Sequence, residues 1–265
     1  MINEFNNLSY VWQALIASIF TWGVTALGAS IVFFFKKVNK TVMDAMLSFS
    51  AGVMISASFF SLISPALEMT KTLKMNGPLI ISGGFLLGGI LLFIGDKIYD
   101  LIDKKKDTNI KSRKRCFMLI SSITLHNIPE GLAIGVAFGS LAYNLPGTTL
   151  LSAFTLALGI GLQNFPEGSS VSLPLRREGY SRKKAFFYGQ LSGIVEPISA
   201  VIGALLVLSI KTILPFLLAF AAGAMIYVVV EELIPESQTN QKKDLMAFFT
   251  LFGFVLMMIL DITLG

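Results

Sequence analysis

Two heptapeptides in an otherwise apolar chain carry residues able to do chemistry. Leu125-His126-Asn127-Ile128-Pro129-Glu130-Gly131 and Leu162-Gln163-Asn164-Phe165-Pro166-Glu167-Gly168 match at five of seven positions, L-x-N-x-P-E-G, at an offset of 37. On a helix, His126 and Glu130 stand at i, i+4 and Asn127 and Glu130 at i, i+3, so all three project to neighbouring points of one face. Gln163, Asn164 and Glu167 repeat that geometry. Each proline removes a backbone hydrogen bond and frees the carbonyl four residues earlier, at Leu125 and Leu162. Imidazole, carboxylate and amide oxygens together suit Zn²⁺ and neighbouring divalent ions, not a thiolate site for Cu⁺. Glu130 and Glu167 could bridge two such ions. A third carboxylate, Glu196, stands beside Pro197 in a later apolar run.

These residues need elements to hold them, and composition says which. Of 265 residues, 54% are apolar and only 14% charged, against about 25% charged in soluble domains. A disordered chain is excluded, and an ordinary soluble globule could not hide that much apolar surface. The expected fold class is all-α: a polytopic membrane protein forming one transmembrane domain over 1–265. Uncharged runs give eight expected spans, at about 8–35, 45–67, 78–95, 117–141, 148–175, 185–210, 212–230 and 245–260. Lys and Arg alternate with them. Lys36, Lys37 and Lys40, the seven basic residues in the loop at 103–116, the five between Arg176 and Lys184, and Lys242 and Lys243 make 17 on one side. The other side has three, Lys71, Lys74 and Lys211. The positive-inside rule then makes the basic side cytoplasmic and both termini non-cytoplasmic. Short basic clusters between apolar runs are not a nucleic-acid face. The single Cys116 excludes an internal disulfide and a CxxC metal site. The N-terminal stretch lacks a positive n-region and cleavage site, so its apolar run is expected to stay as a span.

Depth in the bilayer sharpens the motif. His126 and Glu130 bracket the middle of span 4, Gln163 and Asn164 lie at the middle of span 5, and Glu196 at that of span 6. An isolated charge there costs at least about 2.5–3.5 kcal/mol, so these carboxylates require a cation, protons or a water-filled cavity. Spans 4 and 5 run in opposite directions, so the two copies face each other as an inverted repeat, an organisation characteristic of transporters. Small residues recur at helix-packing spacing at Gly84/Gly88, Gly131/Gly135/Gly139 and Gly189/Gly193, which fits close packing of helix backbones. Glu231, Glu232 and Glu236 close span 7 at the cytoplasmic side, as an exit relay or as an acidic interfacial helix end. Asp261 closes span 8 outside and reads first as a solvated helix end. Asp96 and Asp100, beside Lys97, read as interfacial.

The residues HNIPEG at 126–131, QNFPEG at 163–168 and Gly193-Ile194-Val195-Glu196-Pro197 resemble the signatures of the ZIP (Zrt/Irt-like) family of divalent metal transporters, closest to its bacterial GufA-like branch. The resemblance covers the whole chain. It implies uptake of metal into the cytoplasm across the plasma (inner) membrane, through a binuclear site on spans 4 and 5 with ligands from spans 2 and 6. Carried over residue by residue, one position uses His126, Glu130, Gln163 and Glu167. The second uses Asn127, Asn164 and Glu196 and shares the two glutamates. Met54 in span 2 resembles a thioether ligand of some members, and equally reads as core filler among eleven methionines. Gln163 stands where many members carry a second histidine, which weakens strict Zn²⁺ preference. The loop at 103–116 is lysine-rich without histidine, so metal capture there is not expected.

The expected function is therefore divalent metal uptake by alternating access, with Zn²⁺ as transported substrate and Cd²⁺, Fe²⁺ or Mn²⁺ as further candidates. Metal ions and the lipid bilayer are the expected partners, and a homodimer is one open arrangement. A proton-coupled carrier of organic solutes using the carboxylates is an alternative. An intramembrane metallo-enzyme is another, but HExxH is absent and a single histidine leaves it short of nitrogen ligands. No enzymatic activity is expected.

Overall fold

The computed structural model describes residues 5, 7–34, 39–103, 111–143, 145, 148–209 and 211–264. Within them, the side chains of Asp96, 98–103, 111–119, Ser121, Ser122, Leu125, His126, Arg177, Lys211 and Leu264 lie outside the description. Among the described residues, all regular structure is helical, in eight rods. They are α1 (Tyr10–Ala29, continued by Ile31–Phe34), α2 (Lys40–Ala57 through Ser64–Thr72), α3 (Gly77–Asp103), α4 (Lys111–Ser140), α5 (Leu150–Arg177), α6 (Arg182–Leu191 through Val195–Ser209), α7 (Leu214–Val228 through Ile234–Ser237) and α8 (Lys243–Leu264). Six of them, α1, α2, α3, α6, α7 and α8, are long and apolar enough to cross a membrane. The chain is an all-α, multi-pass membrane protein. The motif helices α4 and α5, of 30 and 28 residues, match those six in length. They are less apolar because each carries a motif copy. α4 begins at Lys111, inside the segment expected as the loop at 103–116.

Capping chemistry fixes several starts. Asn39 accepts from the Thr41 N–H at 2.9 Å at the head of α2. At α5, Thr149 and Ser152 form a reciprocal capping box, each side chain accepting from the other's backbone N–H. Thr149→Ala should lower thermal stability in detergent by about 1 kcal/mol, without changing uptake. α2 and α7 each pass through a π-helical stretch, Ser58–Ile63 and Val229–Leu233, closely followed by a proline, Pro65 or Pro235. Each proline lacks the N–H that would bond the carbonyl four residues back, at Ser61 or Glu231.

Four helix pairs dominate the packing: α1 with α5, α4 with α6, α2 with α8, and α3 with α7. Glycine makes them close. A Cβ at Gly28 would stand 1.9 Å from the Phe165 carbonyl oxygen, at Gly52 1.9 Å from that of Thr250, at Gly88 2.0 Å from that of Phe220, and at Gly135 2.0 Å from that of Ala200. Backbones at such distances admit only glycine. Further contacts join α1 to α4 and α6, and α7 to the outer part of α2, so the rods sort into α1, α4, α5, α6 and α2, α3, α7, α8. The two groups meet chiefly where α2 packs on α5 and α7 on α4. Among the described glycines, Gly159 alone would press across that seam, onto the flexible side chain of Met257.

Candidate metal site

The motif side chains meet where α4, α5, α6 and α1 adjoin. Asn127, Glu130, Gln163, Asn164, Glu167 and Glu196 are all buried. Gln163 Nε2 donates to Glu130 Oε1 at 2.5 Å. Asn164 Nδ2 donates to both Glu196 oxygens at 2.9 Å. Asn127 Nδ2 donates to the Ser192 carbonyl at 3.0 Å. Glu130 lies within Coulombic range of both Glu167 and Glu196. Because each amide spends its nitrogen as a donor, its oxygen is left over.

Five buried oxygens consequently have no donor: Asn127 Oδ1, Glu130 Oε2, Gln163 Oε1, Asn164 Oδ1 and Glu167 Oε2. A buried acceptor without a donor costs about 1–3 kcal/mol, more if charged. Five together, all acceptors and two of them carboxylate, form a set whose natural complement is a cation. Among the described residues no three His, Cys, Asp or Glu side chains converge as a metal cluster. The oxygens of the set are contributed by amides and carboxylates interleaved, which suits hard to intermediate divalent ions.

Met54, the candidate ligand on α2, is fully buried in the core. It stands one turn beyond Ser50, whose hydroxyl donates to the Gln163 carbonyl at 3.1 Å. The His126 side chain, like those of Asp96 and Asp100, lies outside the described residues. Sequence reasoning placed a span where α1 stands but missed its contribution to the site. Thr21 Oγ1 donates to Glu196 Oε2 at 2.5 Å and Thr25 Oγ1 to Oε1 at 3.4 Å. Their i, i+4 spacing was the available signal, but hydroxyls in an apolar helix also satisfy themselves on their own backbone.

From Glu167 a cavity of about 540 Å³ leads toward the end of the bundle that carries Lys40, Arg176 and Lys242. Ser170, Glu178, Glu231, Glu232 and Glu236 line it. The acidic end of α7 is thus the wall of a passage reaching Glu167. Toward the opposite end, a smaller cavity of about 130 Å³ lies beside Ser61, Ser140, Ser152 and Asp261. Asp261 is not a solvated helix end there. Its Oδ1 accepts from Ser61 Oγ at 2.5 Å, and its Oδ2 is buried without a donor.

Residues 102–261 match the family model described as ZIP zinc transporter. The chain belongs to the ZIP family. It is similar to "Zinc transporter ZIP11" of Homo sapiens, with 37% identity covering 97% of this chain and 98% of that relative. It is similar to "Zinc transporter GufA" of Myxococcus xanthus at 34%, covering 95% and 98%. "Zinc transporter ZIPB" of Bordetella bronchiseptica is 34% identical over 98% of the chain and 84% of its own length. This ZIP chain is therefore a member of a transporter family rather than an enzyme, and the GufA-like resemblance of its motifs extends to nearly its whole length.

Proposed function

We propose that this chain carries divalent metal, zinc first, through the bilayer into the cytoplasm by way of the buried set on α4 and α5. The observation that carries this reading is the five donor-less oxygens buried on α4 and α5, with a cavity leading from Glu167 toward the basic end of the bundle. The names of the relatives add zinc as the substrate class. In this reading Glu130, Gln163 and Glu167, with His126, hold one ion. Asn127, Asn164 and Glu196 hold a second, sharing Glu130 and Glu167, with Met54 as a further candidate ligand. The Glu130–Gln163 and Asn164–Glu196 hydrogen bonds fit those two subsets.

Eight spans with both termini outside are part of the same proposal. Exchanging α1–α3 for α6–α8 and α4 for α5 turns the α1/α5 pair into α6/α4, and α2/α8 into α7/α3. All four are the pairs observed, as an inverted repeat requires. Alternating access follows from sliding one glycine-locked group past the other along a seam of side chains. The cavity from Glu167 belongs to the inward-open state of that cycle, since it opens at the basic, cytoplasmic end.

The test of function is uptake into proteoliposomes across Zn²⁺, Cd²⁺, Fe²⁺ and Mn²⁺, with and without a pH gradient. Saturable zinc entry is expected; vesicles no more permeable to any of the four than protein-free ones would sink the proposal. Orientation has its own check. Ser170→Cys in a Cys116→Ser background should react with a membrane-impermeant maleimide applied from the cytoplasmic side, and zinc should slow the reaction. Labelling only from the outside would reverse the assignment.

A further inference from the structure

The two motif copies grip two different helices in the same way. On α4, Asn127 Nδ2 donates to the Ser192 carbonyl of α6 at 3.0 Å. A Cβ at Gly131 would stand 2.3 Å from the Glu196 carbonyl oxygen. On α5, Asn164 Nδ2 donates to the Thr21 carbonyl of α1 at 3.1 Å. A Cβ at Gly168 would stand 2.0 Å from the Thr25 carbonyl oxygen. In each copy the asparagine holds one carbonyl, and the glycine admits the carbonyl four residues further on. By this correspondence Thr21 stands where Ser192 stands, and Thr25 where Glu196 stands.

We propose that α1 is the second wall of the cation site, with Thr21 and Thr25 as positioning residues that hold Glu196 in place. One half of the pseudo-symmetric site supplies an anionic oxygen and the other supplies hydroxyl donors to it. The halves meet directly. Thr21 Oγ1 donates to one oxygen of Glu196. Thr25 Oγ1 lies 3.4 Å from the other and 3.3 Å from the Thr21 carbonyl, its alternative acceptor, and Asn164 bridges both carboxylate oxygens. All these side chains are buried. Gly193 keeps the gap open, since a Cβ there would stand 3.1 Å from both Glu196 Oε1 and Thr25 Oγ1. Glu196 is thereby fixed before a cation arrives, whereas Glu130 and Glu167 each keep an oxygen without a donor. A ligand held by a shell of donors needs less ordering when metal binds, and such outer partners typically govern affinity by about 10–100-fold.

This inference rests on the metal-carrier reading, so zinc uptake by the wild-type protein is established first in the same vesicles. Thr21→Val removes the donor and keeps the shape; Thr21→Ser restores the hydroxyl. Thr21→Val should raise KM for zinc about tenfold or more, with Vmax within about twofold. It should also diminish the rise in Tm that zinc produces, and Thr21→Ser should return both toward wild type. Wild-type KM and zinc-induced Tm shift in Thr21→Val would overturn the role of α1, while leaving the α4–α5 site standing if Glu130→Ala still fails to transport. A fall in Vmax and in metal-free Tm shared by Val and Ser variants, with KM unchanged, would also overturn it, as the mark of helix packing alone.

Discussion

Glu130→Ala and Glu167→Ala are each expected to reduce zinc uptake more than about 100-fold, because partners that merely orient metal ligands already cost about 10–100-fold. The same substitutions should not weaken the metal-free protein. Both carboxylates are buried and each has an oxygen with no donor. Removing such a charge relieves a cost of at least about 2.5–3.5 kcal/mol at mid-membrane depth. Glu130 is further burdened by the nearby charges of Glu167 and Glu196. The metal-free Tm of Glu167→Ala should therefore equal or exceed that of wild type. Glu130→Ala should gain less, because it leaves the Gln163 amide without its acceptor. In both, the stabilisation conferred by zinc disappears. A residue that served only to hold the bundle together would behave the opposite way, losing stability together with activity. Melting curves with and without zinc, beside initial uptake rates, separate the two.

The second large effect is steric. Gly168→Ala would place a methyl 2.0 Å from the Thr25 carbonyl oxygen and 2.8 Å from the Ala29 nitrogen. Both are backbone atoms of α1 and cannot rotate aside, so the α1/α5 pair must separate. Gly131→Ala meets the Glu196 backbone on α6 in the same manner. Overpacking of this kind typically costs about 1–3 kcal/mol and occasionally more, and here it also moves Thr25 and Glu196 away from the site. Folded yield and uptake should both fall, uptake by at least about tenfold. Gly23→Ala and Gly83→Ala are the internal controls, since a Cβ at either meets nothing within 4 Å. Those two should be neutral or slightly stabilising, because alanine is the better helix former. Gly159→Ala should also be mild, since the atoms it meets belong to the flexible end of Met257. Gel-filtration recovery and vesicle uptake across the five variants give the comparison.

The contrast between what the sequence disclosed and what it hid follows from how polar groups behave in an apolar chain. Asn127, Glu130, Gln163, Asn164, Glu167 and Glu196 were legible because amides and carboxylates at mid-span are expensive and need a reason to be there. Their mutual pairing was not, since a one-dimensional spacing fixes a helix face but not which amide donates to which carboxylate. Thr21 and Thr25 escaped notice for the converse reason. A hydroxyl can turn to its own helix at little cost, and the Ser18 carbonyl lies 3.0 Å from Thr21 Oγ1 as an alternative acceptor, so its presence in a span implies nothing. Gly131 was readable as a packing position and Gly168 only as the end of its motif, and only the structure assigns Gly131 to α6 and Gly168 to α1. The acidic end of α7 became a cavity wall once α5 brought Glu167 to its inner end. Asp261 gained its partner from Ser61, 200 residues away in the chain, a distance no periodicity spans.

The most direct test of the central claim, that buried oxygens on α4 and α5 hold the transported ion, is equilibrium zinc binding to the purified protein. The wild-type chain should bind at least one zinc ion that survives dialysis, and the Glu130→Ala/Glu167→Ala double variant, folded and monodisperse, should bind none. Retention of wild-type stoichiometry by the double variant would contradict it.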